Sequence, residues 1–207
     1  SMSPTGVQSA PTGQQPYEKN QAAALAQSQM HTESKVEQLM LQLIIKYGDR
    51  VVFKNIEDAD GNLIDLSIGE YIHYDLSTDG LSFKNELYNR ILQEVVEKVS
   101  DRSFKTEPYF VHHHDINISQ LAINMTEERF KLSESQQEKN DDDSLRNRAI
   151  HLILDFKMEY IEKHLRELKQ KIAKASSDEL LSLMAEYKEM TEMRNIFAKK
   201  LGNNIIV

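Results

Sequence analysis

Apolar residues recur at intervals of three and four along most of the chain beyond residue 32, and this spacing predicts helices. From Glu33 to Tyr47, residues Val36, Leu39, Met40, Leu43 and Ile44 form one stripe. Thr32 or Ser34 can cap it, and Gly48 can end it. A second helix is predicted from Leu66 or Ser67 to about Leu76, with Ile68, Ile72 and Leu76 on one face and Asp79-Gly80 as its breaker. A third runs from Asn85 to Val99, where Leu87, Ile91, Val95 and Val99 step by four and Leu92 and Val96 widen the face. Pro108 opens a short element through Tyr109, Phe110 and Val111, and Asp115 to Met125 forms another short helix. Val51 to Phe53 is an apolar stretch compatible with extended backbone, but no segment alternates as a strand does. Asp58 to Asn62 is a turn by composition.

From Ser144 the pattern lengthens. Ile150, Leu154, Met158, Ile161, Leu165, Leu168 and Ile172 make one long stripe. After a polar break at residues 175–178, with Ser176 or Ser177 as cap, Leu180, Leu183, Tyr187, Met190, Arg194, Phe197 and Leu201 make a second. Two such stripes joined by a short link predict an antiparallel helical hairpin. Gly202 is its expected stop, with a short apolar tail to Val207.

The fold class is therefore all-α: a multi-helix bundle followed by a long helix and a C-terminal antiparallel hairpin. Residues 1–32 hold three of the four prolines (Pro4, Pro11 and Pro16) among Ser, Thr, Gln and Gly, and read as a disordered linker. Residues 33–133 form the bundle, 134–143 an acidic loop and 144–207 the long helix and hairpin. Ser1-Met2 reads as the remnant of a tag ahead of a piece of a longer protein.

Composition adds exclusions. No cysteine is present, which removes disulfides, thiolate metal sites and thiol nucleophiles and fits a reducing, cytoplasmic compartment. No apolar run approaches the roughly 18 residues of a membrane span, and the first residues lack a signal sequence. The net charge of −8 is uneven. Residues 144–207 carry 12 Lys/Arg against 9 Asp/Glu, while the remainder carries 13 against 24. An acidic first part joined to a mildly basic last part leaves nucleic-acid contact weak or absent.

Three features invite a chemical reading. His112, His113 and His114 are consecutive, and consecutive helical side chains point about 100° apart, away from a common metal. His114-Asp115 does spell the dyad of HD-type metal-dependent phosphohydrolases, with His73 and Asp155 as the available recruits. Asp58 with Asp60, and Asp141 to Asp143, are acidic groups in loops without a strand to present them, and the first fails the calcium-loop spacing. No phosphate-binding glycine loop and no nucleophile elbow occurs. No catalytic residue, cofactor or metal ligand is expected.

Arg194 occupies a stripe position otherwise held by Leu, Tyr, Met and Phe. It is either a snorkelling residue paired with Glu189 or Glu192, or part of an interface, where Arg, Met and aromatics concentrate. With Met190, Met193, Ile196 and Phe197 the last helix is apolar over more than one face, so one partner helix buries only part of it.

The ending LMAEYKEMTEMRNIFAKKLGNNIIV, residues 183–207, resembles the C-terminus of DnaG-type bacterial replicative primases, closest to the Bacteroidetes branch. There a Met/Leu-rich helix runs into a pattern like R-N-x-x-A-K-x-L-G and a short Ile/Val tail. Residues 35–47, 68–72, 79–83 and 87–92 are similar in order to its earlier helices, so the resemblance covers residues 33–207. Residues 112–115 depart from a family pattern that is often Asn/Arg-His-Pro. The resemblance implies a non-catalytic helicase-interaction domain whose hairpin contacts the hexameric replicative helicase. It makes Tyr187, Met190, Met193, Arg194, Phe197, Lys200, Leu201, Ile205, Ile206 and Val207 the candidate contacts. The family's zinc-ribbon cysteines and Toprim acidic motifs are absent, so this chain alone is expected to make no primer. The alternatives are an HD-type phosphohydrolase and the N-terminal domain of a replicative helicase, which resembles the primase bundle in fold.

Overall fold

The computed structural model describes residues 34–58, 60–127 and 141–203. The expected linker, residues 134–140 of the expected loop, and Ile205, Ile206 and Val207 lie outside the described residues. Among the described residues, seven helices and one small sheet follow in order: α1 (Lys35–Tyr47), β1 (Val51–Glu57), β2 (Leu63–Ser67), α2 (Ile68–Thr78), α3 (Glu86–Lys98), α4 (Thr106–Val111), α5 (Ile116–Thr126), α6 (Asp142–Ile172) and α7 (Ser177–Asn203). The fold is all-α in character and ends in a helical hairpin.

Helix α1 is the centre. Every residue from Met40 to Ile45 is buried, because α2 to α6 all pack against it. A helix surrounded on all sides shows no polar face along its buried length. The polar group in that run, Gln42, donates from Nε2 to the Met125 carbonyl at 3.0 Å, tying α1 to the end of α5. Glu37, in the first turn of α1, is buried too. Burial raises its pKa, while the backbone N–H of Lys84 donates to it at 3.2 Å and the Lys84 ammonium stands 3.6 Å away.

β1 begins on the apolar stretch Val51 to Phe53, and its pairing with β2 forms a hairpin where the sequence shows no strand alternation. The two are antiparallel, with Val51 opposite Ser67, Ile56 opposite Ile64 and Glu57 opposite Leu63. The register slips between Val51 and Phe53 and again between Phe53 and Ile56. Asn55 lies in the left-handed region at φ 54°, and its N–H donates to the Asp65 carboxylate at 3.0 Å. Two irregularities in seven residues destroy the period-two alternation that marks a strand in sequence. The turn falls where composition places it. Asp58 accepts from the N–H groups of Asp60 and Asn62 at 2.9 and 2.8 Å, and Gly61 takes φ 81°.

β2 runs directly into α2 through a capping box. Ser67 Oγ accepts from the Glu70 N–H at 3.2 Å, and Glu70 reaches back to the Ser67 N–H at 2.8 Å. The next two N–H groups, of Ile68 and Gly69, donate to the carbonyls of Arg50 and Gly48 at 2.9 and 3.0 Å. This stitches the start of α2 to the segment joining α1 and β1. The approach is close: a Cβ on Gly69 would stand 2.4 Å from Cγ1 of Val95 in α3. In the same segment, Asp49 accepts from the Thr106 N–H at 3.2 Å, the Thr106 hydroxyl at 2.8 Å and Lys105 Nζ at 2.9 Å. It thereby caps α4 from across the fold.

Helix α6 begins earlier than the sequence pattern implies. Asp141 caps it by accepting from the Ser144 N–H at 2.8 Å, Asp142 pairs with Arg50, and Asp143 pairs with Arg146 at 3.0 Å. The acidic run at 141–143 is thus a cap and first turn, not the end of a loop, because carboxylates there complement the helix dipole. The first half of α6 belongs to the bundle: Leu145, Ala149, Leu152, Ile153 and Phe156 are part of its hydrophobic core.

Gly69→Ala is expected to destabilise the protein by about 1–3 kcal/mol, the usual cost of forcing a methyl into packed space; urea denaturation against wild type measures it. Asp49 gives a pH signature. Burial opposes its charge, but the hydrogen bonds from Lys105 and Thr106 outweigh that and hold its pKa below the ordinary aspartate value. A carboxylate depressed on folding stabilises at pH above its unfolded pKa and loses that contribution as pH falls through the folded one. Asp49→Asn should therefore cost about 1–2 kcal/mol at pH 6. The gap to wild type should close below about pH 3.9; melting curves of both proteins from pH 7 to 2.5 check this.

Candidate partner-binding surface

The second half of α6 leaves the bundle. Its buried residues Ile161, Leu165 and Leu168 lie beyond the bundle core, and α7 is the helix packed extensively along it. The two helices are antiparallel neighbours joined by residues 173–176. Ser176 begins the return, with its hydroxyl donating to the Glu179 carboxylate at 3.0 Å. Across the seam His164 Nε2 lies 2.8 Å from Glu186 Oε1, and Lys169 Nζ sits 5.8 Å from the Tyr187 ring centroid. Nearer the bundle, Lys157 Nζ sits 5.9 Å from the centroid of Phe197.

All seven predicted stripe positions of α7, from Leu180 to Leu201, are half-buried, and among its described side chains none is fully buried. That is the signature of a helix with one substantial neighbour. The candidate contacts therefore divide. Tyr187, Met190, Arg194, Phe197 and Leu201 are on the half-buried stripe, as is the flanking Met193, whereas Lys200 is exposed. Arg194 meets no carboxylate among the described residues, so the pairing with Glu189 or Glu192 does not form. α7 also continues past Gly202 to Asn203.

The exposed apolar side chains of α7 lie elsewhere: Leu181 is 78% exposed, and Met184 and Ile196 are each 54% exposed. Leu181 and Met184 were not among the sequence candidates. Their signal is an apolar pair at successive positions, Leu180-Leu181 and Leu183-Met184, where a one-sided helix needs one apolar residue.

Where the hairpin meets the bundle, Lys157 is buried, with its ammonium between the carboxylates of Asp75 and Asp79 at the end of α2; the Asp79 contact is 2.6 Å. Burial disfavours its charge, yet the two aspartates outweigh this and raise its pKa above the usual lysine value. Beside it lies a cavity of about 350 Å³ between α2, α6 and α7, lined by Tyr71, Asp75, Ile150, Leu154, Phe197 and Lys200 among others.

The histidine cluster is structural. His113 is buried; its Nδ1 accepts from the Asp115 N–H at 3.0 Å, which places the ring proton on Nε2, facing Glu94 at 3.0 Å. The Tyr109 hydroxyl donates to the same Glu94 oxygen at 3.0 Å, and burial together with that carboxylate pushes the tyrosine up to about 12. His112 turns back to the Pro108 carbonyl at 2.9 Å, and His114 is exposed. Asp115 caps α5 through the Asn117 N–H and pairs with Arg90 at 3.1 Å. Among the described residues no three His, Asp or Glu side chains are grouped to hold a metal ion, so His73, His114, Asp115 and Asp155 do not assemble as the phosphohydrolase reading requires. Among them, too, no helix is long and apolar enough to cross a membrane.

Fold and site together define a helical bundle that carries a one-sided hairpin. The chain belongs to the family described as Domain of unknown function (DUF8430), matched over residues 22–205. No curated protein and no solved structure matches it.

Lys157→Met keeps the apolar stem but leaves Asp75 and Asp79 without their shared cation. The expected loss is about 2 kcal/mol in urea denaturation, below the 3–5 kcal/mol of a fully buried pair because both aspartates keep some solvent contact.

Proposed function

We propose that this chain is the non-catalytic helicase-interaction domain of a bacterial replicative primase, joining the primer-synthesising part of a longer protein to the hexameric replicative helicase. The observation that carries the reading is α7, a 27-residue helix with one substantial neighbour, no fully buried described side chain, and Leu181, Met184 and Ile196 turned to solvent. An exposed apolar face on a helix is a common docking surface for another protein. A bundle that leads into a terminal hairpin, here with the long α6 as the first arm, also agrees in part with the arrangement that the resemblance to DnaG-type primases implies, a bundle followed by a long helix and a hairpin.

Mechanistically the domain acts as a tether. Holding the polymerase near freshly unwound template raises its effective concentration there without any new contact at the reacting atoms. The long α6 carries the hairpin on a base anchored in the bundle core, which makes the contact surface a rigid one.

Calorimetric titration of this chain into the same organism's replicative helicase tests the reading. Micromolar binding is expected, with the double variant Leu181→Lys/Met184→Lys at least ~10-fold weaker, about 1.4 kcal/mol, and unchanged in thermal unfolding. No binding at tens of micromolar protein overturns it.

A further inference from the structure

We infer that the outward face of α7 is covered by the same face of a second copy of the chain, laid antiparallel across a two-fold axis near residue 189. The inference stands apart from the helicase reading but shares its surface, so self-association and helicase binding would exclude each other.

The face is complementary to itself when reversed. At about 100° per residue, four charged residues of α7 point within ~60° of Leu181: Asp178, Lys188, Glu192 and Lys199. All four are exposed. From the start of α7 their signs run minus, plus, minus, plus; from its end they run plus, minus, plus, minus. An antiparallel copy therefore sets Asp178 against Lys199 and Lys188 against Glu192, and the two-fold axis repeats each pair. The apolar side chains obey the same symmetry. Leu181 and Met184, near the start, come to face Ile196, near the end, and all three are exposed in the single chain. Every one of these pairs is centred between residues 188 and 190. A parallel copy would instead set Lys188 against Lys188 and Glu192 against Glu192, and opposed like charges are costly.

Within one copy these charges are loosely held. Lys188 and Glu192 stand 4.0 Å apart, and Asp178 and Lys199 form no ion pair among the described residues. Net charge favours the same side of the molecule. Two chains at −8 repel, whereas residues 144–207 carry 12 Lys/Arg against 9 Asp/Glu and let copies approach without that cost. With its axis near the middle of the helix, the pairing runs along nearly all of the ~40 Å of α7.

Sedimentation of the full chain from about 1 to 200 µM tests this, and wild type is expected to pass from monomer to dimer over that range. Lys188→Glu and Glu192→Lys, each alone, should weaken the dimer at least ~10-fold, and the swapped double variant Lys188→Glu/Glu192→Lys should restore it. Unchanged far-UV circular dichroism shows that the variants fold. Because the chain has no cysteine, single introduced cysteines report the orientation. Under oxidation Glu189→Cys, beside the axis, should link two copies, and Ser182→Cys, ~20 Å from its counterpart, should not. Wild type that stays monomeric at ~200 µM overturns the inference. So does a dimer that both single variants leave intact, a swapped variant that fails to restore it, or Ser182→Cys that links as readily as Glu189→Cys. A monomeric chain that binds helicase overturns the dimer and leaves the helicase reading standing. A chain that dimerises but, diluted to monomer, binds no helicase does the reverse.

Discussion

One continuous helix, α6, serves two cores, and the rest of the structure follows from that constraint. Its 31 residues span ~46 Å, more than the bundle can cover. The first half fills the space beside α1, where Phe156 meets Phe83 edge to face at 5.8 Å between ring centroids. The second half projects, and without a neighbour it would leave Ile161, Leu165 and Leu168 in water. Helix α7 is that neighbour. Because it is added to a projecting helix and not to the bundle, it gains one seam and keeps its other faces open.

The joints along α6 are marked by polar pairs. Arg50 meets Asp142 at its start, Lys157 meets Asp75 and Asp79 where it leaves the bundle, and His164 meets Glu186 within the hairpin. The exposed Arg50 pair contributes little to stability. Their common effect is alignment, since each fixes α6 against a different element: the segment joining α1 and β1, the end of α2, and α7. The Lys157 site differs because its cation is buried, so the angle at which α6 departs from α2 is tied to an interaction that is costly to break on one side only.

How much of this was legible depends on how many neighbours an element has. Helix α7 has one substantial neighbour, and all seven of its stripe positions are half-buried. Helix α1 has five, so the stripe of Val36, Leu39, Met40, Leu43 and Ile44 understates it: Leu41, Gln42 and Ile45 are buried as well, while Val36 and Leu39 are half-buried. The β1–β2 pair escaped detection because Asn55 and two register slips break the alternation a strand otherwise shows. Asp141 to Asp143 read as a solvated loop because an acidic run looks alike in either setting, and only the Ser144 N–H and Arg50 reveal the cap. For the site, periodicity located the seam and drew attention to Tyr187, Met190 and Phe197. The exposed Leu181 and Met184 sit one position off that stripe, where a search for the dominant face passes over them.

The energetics of the seam bear on how a partner can engage the hairpin. Prising α7 away would expose Ile161, Leu165 and Leu168, each worth about 1.5–3 kcal/mol, so roughly 5–9 kcal/mol is lost before the half-buried side of α7 is counted. A micromolar complex has about 8 kcal/mol in total. A partner that opened the seam would have to recover that cost in addition to its net affinity. Contact with the closed hairpin carries no such cost, and what the closed hairpin presents is the outward Leu181, Met184 and Ile196 along α7. Leu181 and Met184 lie near the start of α7 and Ile196 nearer its end, so a surface touching all three would span much of the hairpin, whose base the buried Lys157 and the core half of α6 hold in place.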